Sequence, residues 1–303
     1  MARNLAYLFG MGMTILIGIY FYCTCCSWCK DAPTETEPLK EKVSAEIEPK
    51  ATSFPFAVST DDFSFEVNDN FNFNSSSPSF IMPLSEELKK GVDTLRSYLA
   101  QHGDRVINIT GYFSTSEENS SAYPDLGIAR ANSVKNHFVS SGIPSRQINT
   151  MGMLKDDMVA RESMYHGAVA FEIKERNNDS DVLLKALYDK IKADPLVLYF
   201  ETGQTAIALT AAQREKIANI SRYLDKVDDA SCEVIGHTDN TGNRAANIAL
   251  GQERADFAKA YLIRNGILAS KVNSSSAGPD DPIASNTTEE GKAQNRRVVV
   301  TLN

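Results

Sequence analysis

Residues 83–99, PLSEELKKGVDTLRSYL, align without gaps on residues 208–224, ALTAAQREKIANISRYL, at an offset of 125 residues. In both segments apolar residues recur at helical spacing, and the third residue, Ser85 or Thr210, is a good N-cap. Both segments are therefore predicted to be amphipathic helices that pack on the same kind of surface. Self-similarity of this kind indicates two copies of one folding unit.

The flanking segments match as well. Each helix follows a β-rich stretch and precedes a short strand that ends in glycine, Gly111 or Gly236. A second helix then stops at a C′ glycine, Gly142 or Gly266, and a last strand closes each copy. We therefore predict an α+β fold with two tandem βαβαβ domains, each a two-layer sandwich of helices on a small sheet. A helical pattern over residues 181–192 is predicted to connect the two domains.

The composition is that of a globular protein with room for two domains. The chain has 303 residues, of which 42% are hydrophobic and 23% charged. Its formal net charge is -8, and the basic residues are scattered, which argues against a general nucleic-acid binder.

The N-terminus differs from the rest. Residues 5–29 contain no charged side chain, so residues 1–29 are predicted to form a transmembrane anchor. A cleaved signal peptide is the alternative for this segment. Residues 30–54, rich in Pro, Glu, Lys and Thr, are predicted to be a linker. The two domains are then predicted over residues 55–176 and 180–303.

Four of the five cysteines crowd the end of the predicted anchor: Cys23, Cys25, Cys26 and Cys29. Cys26 and Cys29 have the C-x-x-C spacing of a redox centre, but that chemistry needs the pair to open a helix inside a βαβ unit. We expect small interfacial residues here, which in an oxidising compartment could form disulfides across a homodimer. Cys232, on a predicted strand, is expected in the core.

The stretch CEVIGHTDNTGNRAANIALGQER, residues 232–254, carries a candidate binding site. Asp239 follows a strand and enters a polar turn, and Gly251 is predicted to be the N-cap of the next helix. This would place Arg254 close to free helix amides. A carboxylate opposite a guanidinium suits a zwitterion, as in an amino-acid headgroup. Alternatively, Asp239 and Arg254 pair with each other, and a metal or catalytic role lacks the further groups it needs.

At this point the chain resembles a known family. The pattern GHTDNTG, N-x-x-L, then Gly278 and PIASNTTEEGKAQNRRVVV over residues 282–300, is similar to the OmpA-like C-terminal domain, a peptidoglycan-binding module of Gram-negative envelopes. The resemblance implies that Asp239 and Arg254 bind the diaminopimelate of the stem peptide. It adds Asn247 and Arg296 as ligand contacts and Thr241 as a turn contact.

The first copy keeps the scaffold but not the motif. Ser114 stands where Asp239 would be, Arg130 stands opposite Arg254, and the NRR sequence is missing. An arginine without its carboxylate cannot bind a zwitterion in the same way, so this copy is predicted to be degenerate. It would serve as a spacer, a dimer contact or a partner surface. Its FEVNDNFNFNSSS stretch is either an exposed interaction loop or a strand with a hairpin tip.

The function predicted from these observations is a non-enzymatic tether that joins a cell-envelope membrane to peptidoglycan, with no catalytic residues, no metal and no cofactor. The alternative is an envelope scaffold, or a stator-like subunit, in which Asp239 and Arg254 form a structural pair. Stator helices carry an ion-binding aspartate, and residues 5–29 have none. The domains would be periplasmic. The helix favours the inner membrane, whereas the resemblance favours outer-membrane association.

Overall fold

The computed structural model describes residues 54–176, 180–200 and 209–303. The predicted anchor over residues 1–29, its four cysteines and all but the last residue of the predicted linker lie outside these ranges. Within the described ranges, no helix has both the length and the apolar character needed to cross a membrane.

The first repeat is built on a three-stranded sheet in the order β5-β4-β7, with β4 parallel to β5 and antiparallel to β7. Two small antiparallel pairs, β1 with β2 and β3 with β6, flank this sheet. The elements of this repeat are β1 Phe56–Ser59, β2 Ser64–Val67, β3 Phe73–Asn74, α1 Glu86–Gln101, β4 Arg105–Phe113, α2 Leu126–Ser140, β5 Ile148–Leu154, β6 Met164–Tyr165 and β7 Val169–Glu175.

The second repeat has a four-stranded sheet in the order β10-β9-β11-β8. Strand β10 is parallel to β9, and β11 is antiparallel to both of its neighbours. A connecting helix, α3, precedes the repeat where a helix was predicted. The elements are α3 Ser180–Ala193, β8 Leu196–Tyr199, α4 Ala211–Lys226, β9 Cys232–His237, α5 Arg244–Arg264, β10 Val272–Gly278, α6 Glu289–Asn295 and β11 Arg297–Leu302.

The predicted βαβαβ pattern is one strand short in each repeat. The strands that the prediction lacked are β5 and β10. Each follows the second long helix of its repeat and pairs in parallel with the central strand. Strand β10 has the sequence VNSSSAG, whose run of small polar residues lacks the period-two alternation that identifies a strand. In the first repeat, the β-rich stretch before α1 also departs from the prediction, because it forms the small flanking pairs and stays out of the main sheet.

Local signals predicted the helix ends well. The Ser85 hydroxyl accepts a hydrogen bond from the amide of Leu88, and Thr210 forms a full capping box with Gln213. Both predicted C′ glycines have left-handed backbone conformations, with φ of +97° at Gly142 and +98° at Gly266. These polar and glycine signals act within one turn of the chain, which is why sequence alone revealed them.

The predicted start of helix α5 is wrong. The helix begins at Arg244, capped by Asn243, so Gly251 lies inside it. A side chain at Gly251 would overlap Ser276 Oγ, and one at Gly236 would overlap the carbonyl of Gly251. Gly251 therefore allows α5 to approach strand β9 closely. Gly111 and Gly127 make the same close contact between β4 and α2 in the first repeat.

Each repeat has its own hydrophobic core. Cys232 is completely buried in the second core, as expected from its strand. In the first core, Phe71 and Phe73 are also completely buried, and they come from the stretch considered as an exposed interaction loop. These two aromatic side chains are therefore core residues and cannot contact a partner.

Buried polar contacts join the two repeats. Tyr123, in the loop before α2, donates a hydrogen bond to the carbonyl of Asn265 at 2.8 Å and lies 3.3 Å from the Ser221 hydroxyl. Burial raises the pKa of Tyr123 above its ordinary value, so the phenol remains a donor. Nearby, the buried Lys135 ammonium pairs with Asp225 at 2.5 Å. Buried polar groups of one repeat therefore find their hydrogen-bond and ion-pair partners in the other repeat.

Candidate functional site

Three parts of the second repeat bring the predicted site residues together. Asp239 follows β9, Asn247 and Arg254 lie on α5, and Arg296 caps the short helix α6 immediately before β11. The contact between Gly251 and Gly236 draws α5 onto β9, and pairing of β9 with β11 brings the α6–β11 junction alongside.

Asp239 forms its ion pair with Arg296. Its Oδ2 atom lies 2.9 Å from Arg296 Nη1, and Oδ1 accepts a hydrogen bond of 2.9 Å from the backbone amide of Thr241. Burial alone would raise the pKa of Asp239, but the hydrogen bonds from Arg296 and Thr241 outweigh it and lower the pKa below its usual value. Asp239 is therefore ionised at neutral pH and able to accept a further donor.

Asn247 and Thr241 hold the turn in place. Asn247, in the first turn of α5 and almost fully buried, donates a hydrogen bond from Nδ2 to the carbonyl of Thr241 at 3.1 Å. Gly242 follows with a φ of +92°, a conformation that glycine adopts without strain. Asn247 thus positions the turn that carries Asp239, and Thr241 contributes its backbone at this point.

Arg254 is completely buried, and none of its three guanidinium nitrogens has a hydrogen-bond partner among the described residues. The Phe200 ring, whose centroid is 5.6 Å from the guanidinium carbon, packs against it. Burial lowers the pKa of Arg254, and the nearby positive charge of Arg296 lowers it further, while Asp239 acts in the opposite direction. A buried guanidinium without partners is expensive to maintain and is a ready receptor for an anion.

Two expectations about this pair are wrong. Arg254 and Asp239 do not form an ion pair among the described residues, because Asp239 has Arg296 as its partner. Arg254 also lies in the middle of α5, far from the free amides of the helix N-terminus. The positive side of the site therefore comes from two guanidinium groups, those of Arg254 and Arg296.

His237 and Arg297 lie on the neighbouring strands β9 and β11 and both face Asp281. His237 is buried, with its Nδ1 atom 3.9 Å from Asp281, and Arg297 donates to the carbonyl of Asp281 at 3.1 Å. Burial, reinforced by Arg297 and opposed by Asp281, lowers the pKa of His237 to about 4. Within the described ranges no cluster of His, Cys, Asp or Glu could hold a metal ion.

The first repeat has an arginine in the same place with an entirely different environment. Arg130 lies three residues after Gly127, as Arg254 lies three residues after Gly251. It is completely buried and forms a bidentate ion pair with Glu117, at 2.5 and 3.1 Å. The expectation that this arginine lacks a carboxylate is therefore wrong.

Sequence reasoning missed two residues that define these environments, Glu117 and Phe200. Glu117 lies in a polar loop that contains a second glutamate, so no local signal distinguishes it. Phe200 directly follows strand β8, where an aromatic side chain is ordinary core material.

Comparison with known proteins places these features in a family. The OmpA family model matches residues 72–168 and 199–296, together more than half of the chain. The probable lipoprotein YiaD of Escherichia coli (strain K12) is 41% identical over 98 residues, which is 32% of this chain and 45% of the relative. The peptidoglycan-binding protein ArfA of Mycobacterium tuberculosis is 36% identical over 101 residues, 33% of this chain and 31% of the relative.

The matched segment spans less than half the length of these curated relatives. Among solved structures, the peptidoglycan-associated lipoprotein from Burkholderia pseudomallei superposes with a TM-score of 0.32 and 25% identity, covering 35% of this chain and 89% of that one. The family model matches both repeats, and its first match contains Arg130 while its second contains Asp239 and Arg254. This chain therefore belongs to the OmpA family.

Proposed function

We propose that this protein is a non-enzymatic tether of the cell envelope, and that its second repeat binds peptidoglycan non-covalently through diaminopimelate. The observation that carries this proposal is the buried guanidinium of Arg254, which has no partner among the described residues and stands beside the Asp239–Arg296 pair. Such a group is stabilised when a ligand brings a carboxylate to it.

The charges favour one class of ligand. Among the described residues, Arg254 and Arg296 bring two positive charges and Asp239 one negative charge, an excess of positive charge that a carboxylate neutralises. Asp239, held ionised and partly exposed, accepts an ammonium group. An amino-acid centre carries both groups on one carbon. In a stem peptide, the free end of diaminopimelate is such a centre.

The state of Asp239 argues for binding and against catalysis. Its pKa lies below the usual range and both oxygens accept hydrogen bonds, whereas a general acid needs a pKa near the working pH. The names of the relatives, a probable lipoprotein and a peptidoglycan-binding protein, agree with an envelope role. An apolar N-terminal segment would fix the tether to a membrane.

The scaffold alternative receives less support from the site. It required Asp239 and Arg254 to satisfy each other, and the two do not pair among the described residues. A stator-like subunit would need an ion-binding acidic residue in the N-terminal apolar segment, and residues 5–29 contain none.

The test is calorimetric titration of the purified full-length chain with two muropeptides that differ only at the third stem residue. Diaminopimelate offers the amino-acid centre, whereas lysine offers the amine without the carboxylate. We expect the diaminopimelate peptide to bind and the lysine peptide to bind far more weakly. Arg254→Met and Asp239→Ala should each lose about 2–5 kcal/mol of binding free energy, as for one partner of a desolvated charge pair. Equal binding of the two muropeptides, or undiminished binding by Arg254→Met, would refute the proposal.

A further inference from the structure

The carboxylate of Glu117, in the first repeat, is bound as a ligand would be. Oε1 accepts hydrogen bonds from Arg130 Nη2 at 2.5 Å and from the Ser76 amide at 2.9 Å. Oε2 accepts hydrogen bonds from Arg130 Nη1 at 3.1 Å and from the Ser114 amide at 3.0 Å. The side chain of Glu117 is only 1% exposed. A bidentate guanidinium with two converging backbone amides is a complete receptor for one carboxylate.

The remaining donors of Arg130 are also satisfied. Its Nε atom donates to the carbonyl of Ser77 and Nη1 to that of Tyr112, at 3.2 and 2.8 Å. The rings of Phe73 and Tyr165 lie with their centroids 5.3 and 5.4 Å from the guanidinium carbon. No part of this guanidinium is left for an external ligand.

The two arginines stand on the same framework. In both repeats a pair of glycines, Gly111 with Gly127 and Gly236 with Gly251, brings the second long helix onto the central strand. The arginine follows three residues later and is completely buried in both cases. What differs is charge. Arg130 and Glu117 form a neutral pair, whereas the described residues of the second-repeat site, Asp239, Arg254 and Arg296, carry one more positive than negative charge.

The turn residues explain this difference. Where the second repeat has Asp239, the first has Ser114, so the turn itself supplies no carboxylate at this position, and the Ser114 hydroxyl donates a hydrogen bond of 3.1 Å to Asp156. The carboxylate of the first repeat comes three residues later, and it faces the arginine from within the chain. The loop that carries Glu117 therefore reaches Arg130, whose counterpart Arg254 has no hydrogen-bond partner among the described residues.

We infer that the first repeat contains a carboxylate-binding site of the same kind, which the chain itself fills with Glu117. The comparison of the Glu117 carboxylate with a ligand carboxylate rests on the proposed function of the second repeat. The evidence for the carboxylate-binding site itself is the set of contacts that Glu117 makes. The first repeat is thereby closed to wall peptides, and removal of the Glu117 side chain opens a site for small monocarboxylates such as acetate.

The experiment is chemical rescue of the full-length chain, measured by thermal unfolding in sodium acetate and in sodium chloride at equal pH and ionic strength. Glu117→Ala leaves Arg130 buried without its partner, so we expect Tm to fall by roughly 5–15 °C in chloride. Acetate at tenfold its dissociation constant should restore about 3–6 °C of that loss. The wild type measures any effect of acetate at the second-repeat site, so rescue is the rise in the Tm of Glu117→Ala beyond that of the wild type.

Three variants separate a receptor from an ordinary ion pair. Glu117→Gln removes the charge but fills the space, so acetate should not rescue it. Glu117→Ala combined with Arg130→Met removes both charges and should respond to acetate no more than the wild type does. Glu118→Ala makes the same chemical change one residue away at an exposed position, and its Tm should be unchanged.

Acetate-specific rescue of Glu117→Ala alone supports the inference. Equal effects of acetate and chloride on Glu117→Ala would overturn it, and so would equal rescue of the double variant. If Glu117→Ala is soluble only when purified in acetate, that result also supports the inference, whereas insolubility in both salts beside a soluble double variant would overturn it. None of these readouts involves muropeptide binding, so failure here is distinguishable from failure of the proposed function.

Discussion

Arg254→Met should make the unliganded protein more stable while it weakens ligand binding. Methionine keeps most of the apolar length of the side chain and removes a guanidinium that is completely buried and has no hydrogen-bond partner among the described residues. An unpaired buried charge opposes folding, so its removal favours the folded state. A buried charge that destabilises the unliganded protein is best explained as a binding group whose partner is supplied by a ligand.

The magnitude follows from the contacts. A buried unsatisfied donor costs about 1–3 kcal/mol, and Arg254 has three such nitrogens on one group. Two interactions of Arg254 offset part of this cost. The cation–π contact with the Phe200 ring contributes up to about 2 kcal/mol when desolvated, and the negative charge of Asp239 attracts the guanidinium. The net expectation is a gain of about 2–3 kcal/mol in the free energy of unfolding, or roughly 5–10 °C in Tm.

Arg130→Met is the matched control, since it makes the same change at the corresponding position of the first repeat. There it strands the buried Glu117 carboxylate and breaks a bidentate pair, so we expect a loss of about 3–5 kcal/mol. The assay is urea unfolding of the full-length chain, followed by circular dichroism without ligand. Opposite signs for the two substitutions are the expected result. If Arg254→Met destabilises the protein as much as Arg130→Met does, Arg254 is an ordinary structural residue and the reasoning fails.

Three further perturbations test other parts of the structure. The pKa of His237 falls from its ordinary value of 6.5 in the unfolded chain to about 4 in the folded protein, because burial opposes the charged ring. Stability should therefore decline as the pH falls from 6.5 to 4, by about 3 kcal/mol more than in His237→Gln. Parallel pH profiles of the two proteins in urea unfolding would contradict this. Gly251→Ala should lower the free energy of unfolding by about 1–3 kcal/mol, because the new methyl group would overlap Ser276 Oγ. Gly103→Ala is the control, since its methyl group meets nothing within 4 Å and should change stability little or not at all. The two variants are compared by their Tm. Tyr123→Phe removes the buried hydrogen bond between the repeats and should cost about 1–2 kcal/mol by urea unfolding, and an unchanged midpoint would show that this contact is dispensable.

The duplication, the helices and their ends could be predicted because their signals are local. Ser85 and Thr210 cap their helices through amides three residues away, and Gly142 and Gly266 end theirs through their own backbone angles. The start of α5 escaped this reasoning. Gly251 looked like a cap but serves a contact between helix and strand, and such a contact depends on the tertiary approach of the two elements.

The sequence by itself determined the candidate site residues, since the motifs that contain Asp239, Asn247, Arg254 and Arg296 resemble those of one family. Only the tertiary structure decided which charges pair. Asp239 takes Arg296, 57 residues away, and leaves Arg254 without a partner among the described residues, while Arg130 takes Glu117 from a loop 13 residues before it. The physical reason is that a buried charge pairs with whatever group the packed chain brings within hydrogen-bond distance. That distance cannot be predicted from the composition of the chain or from the spacing of residues along it.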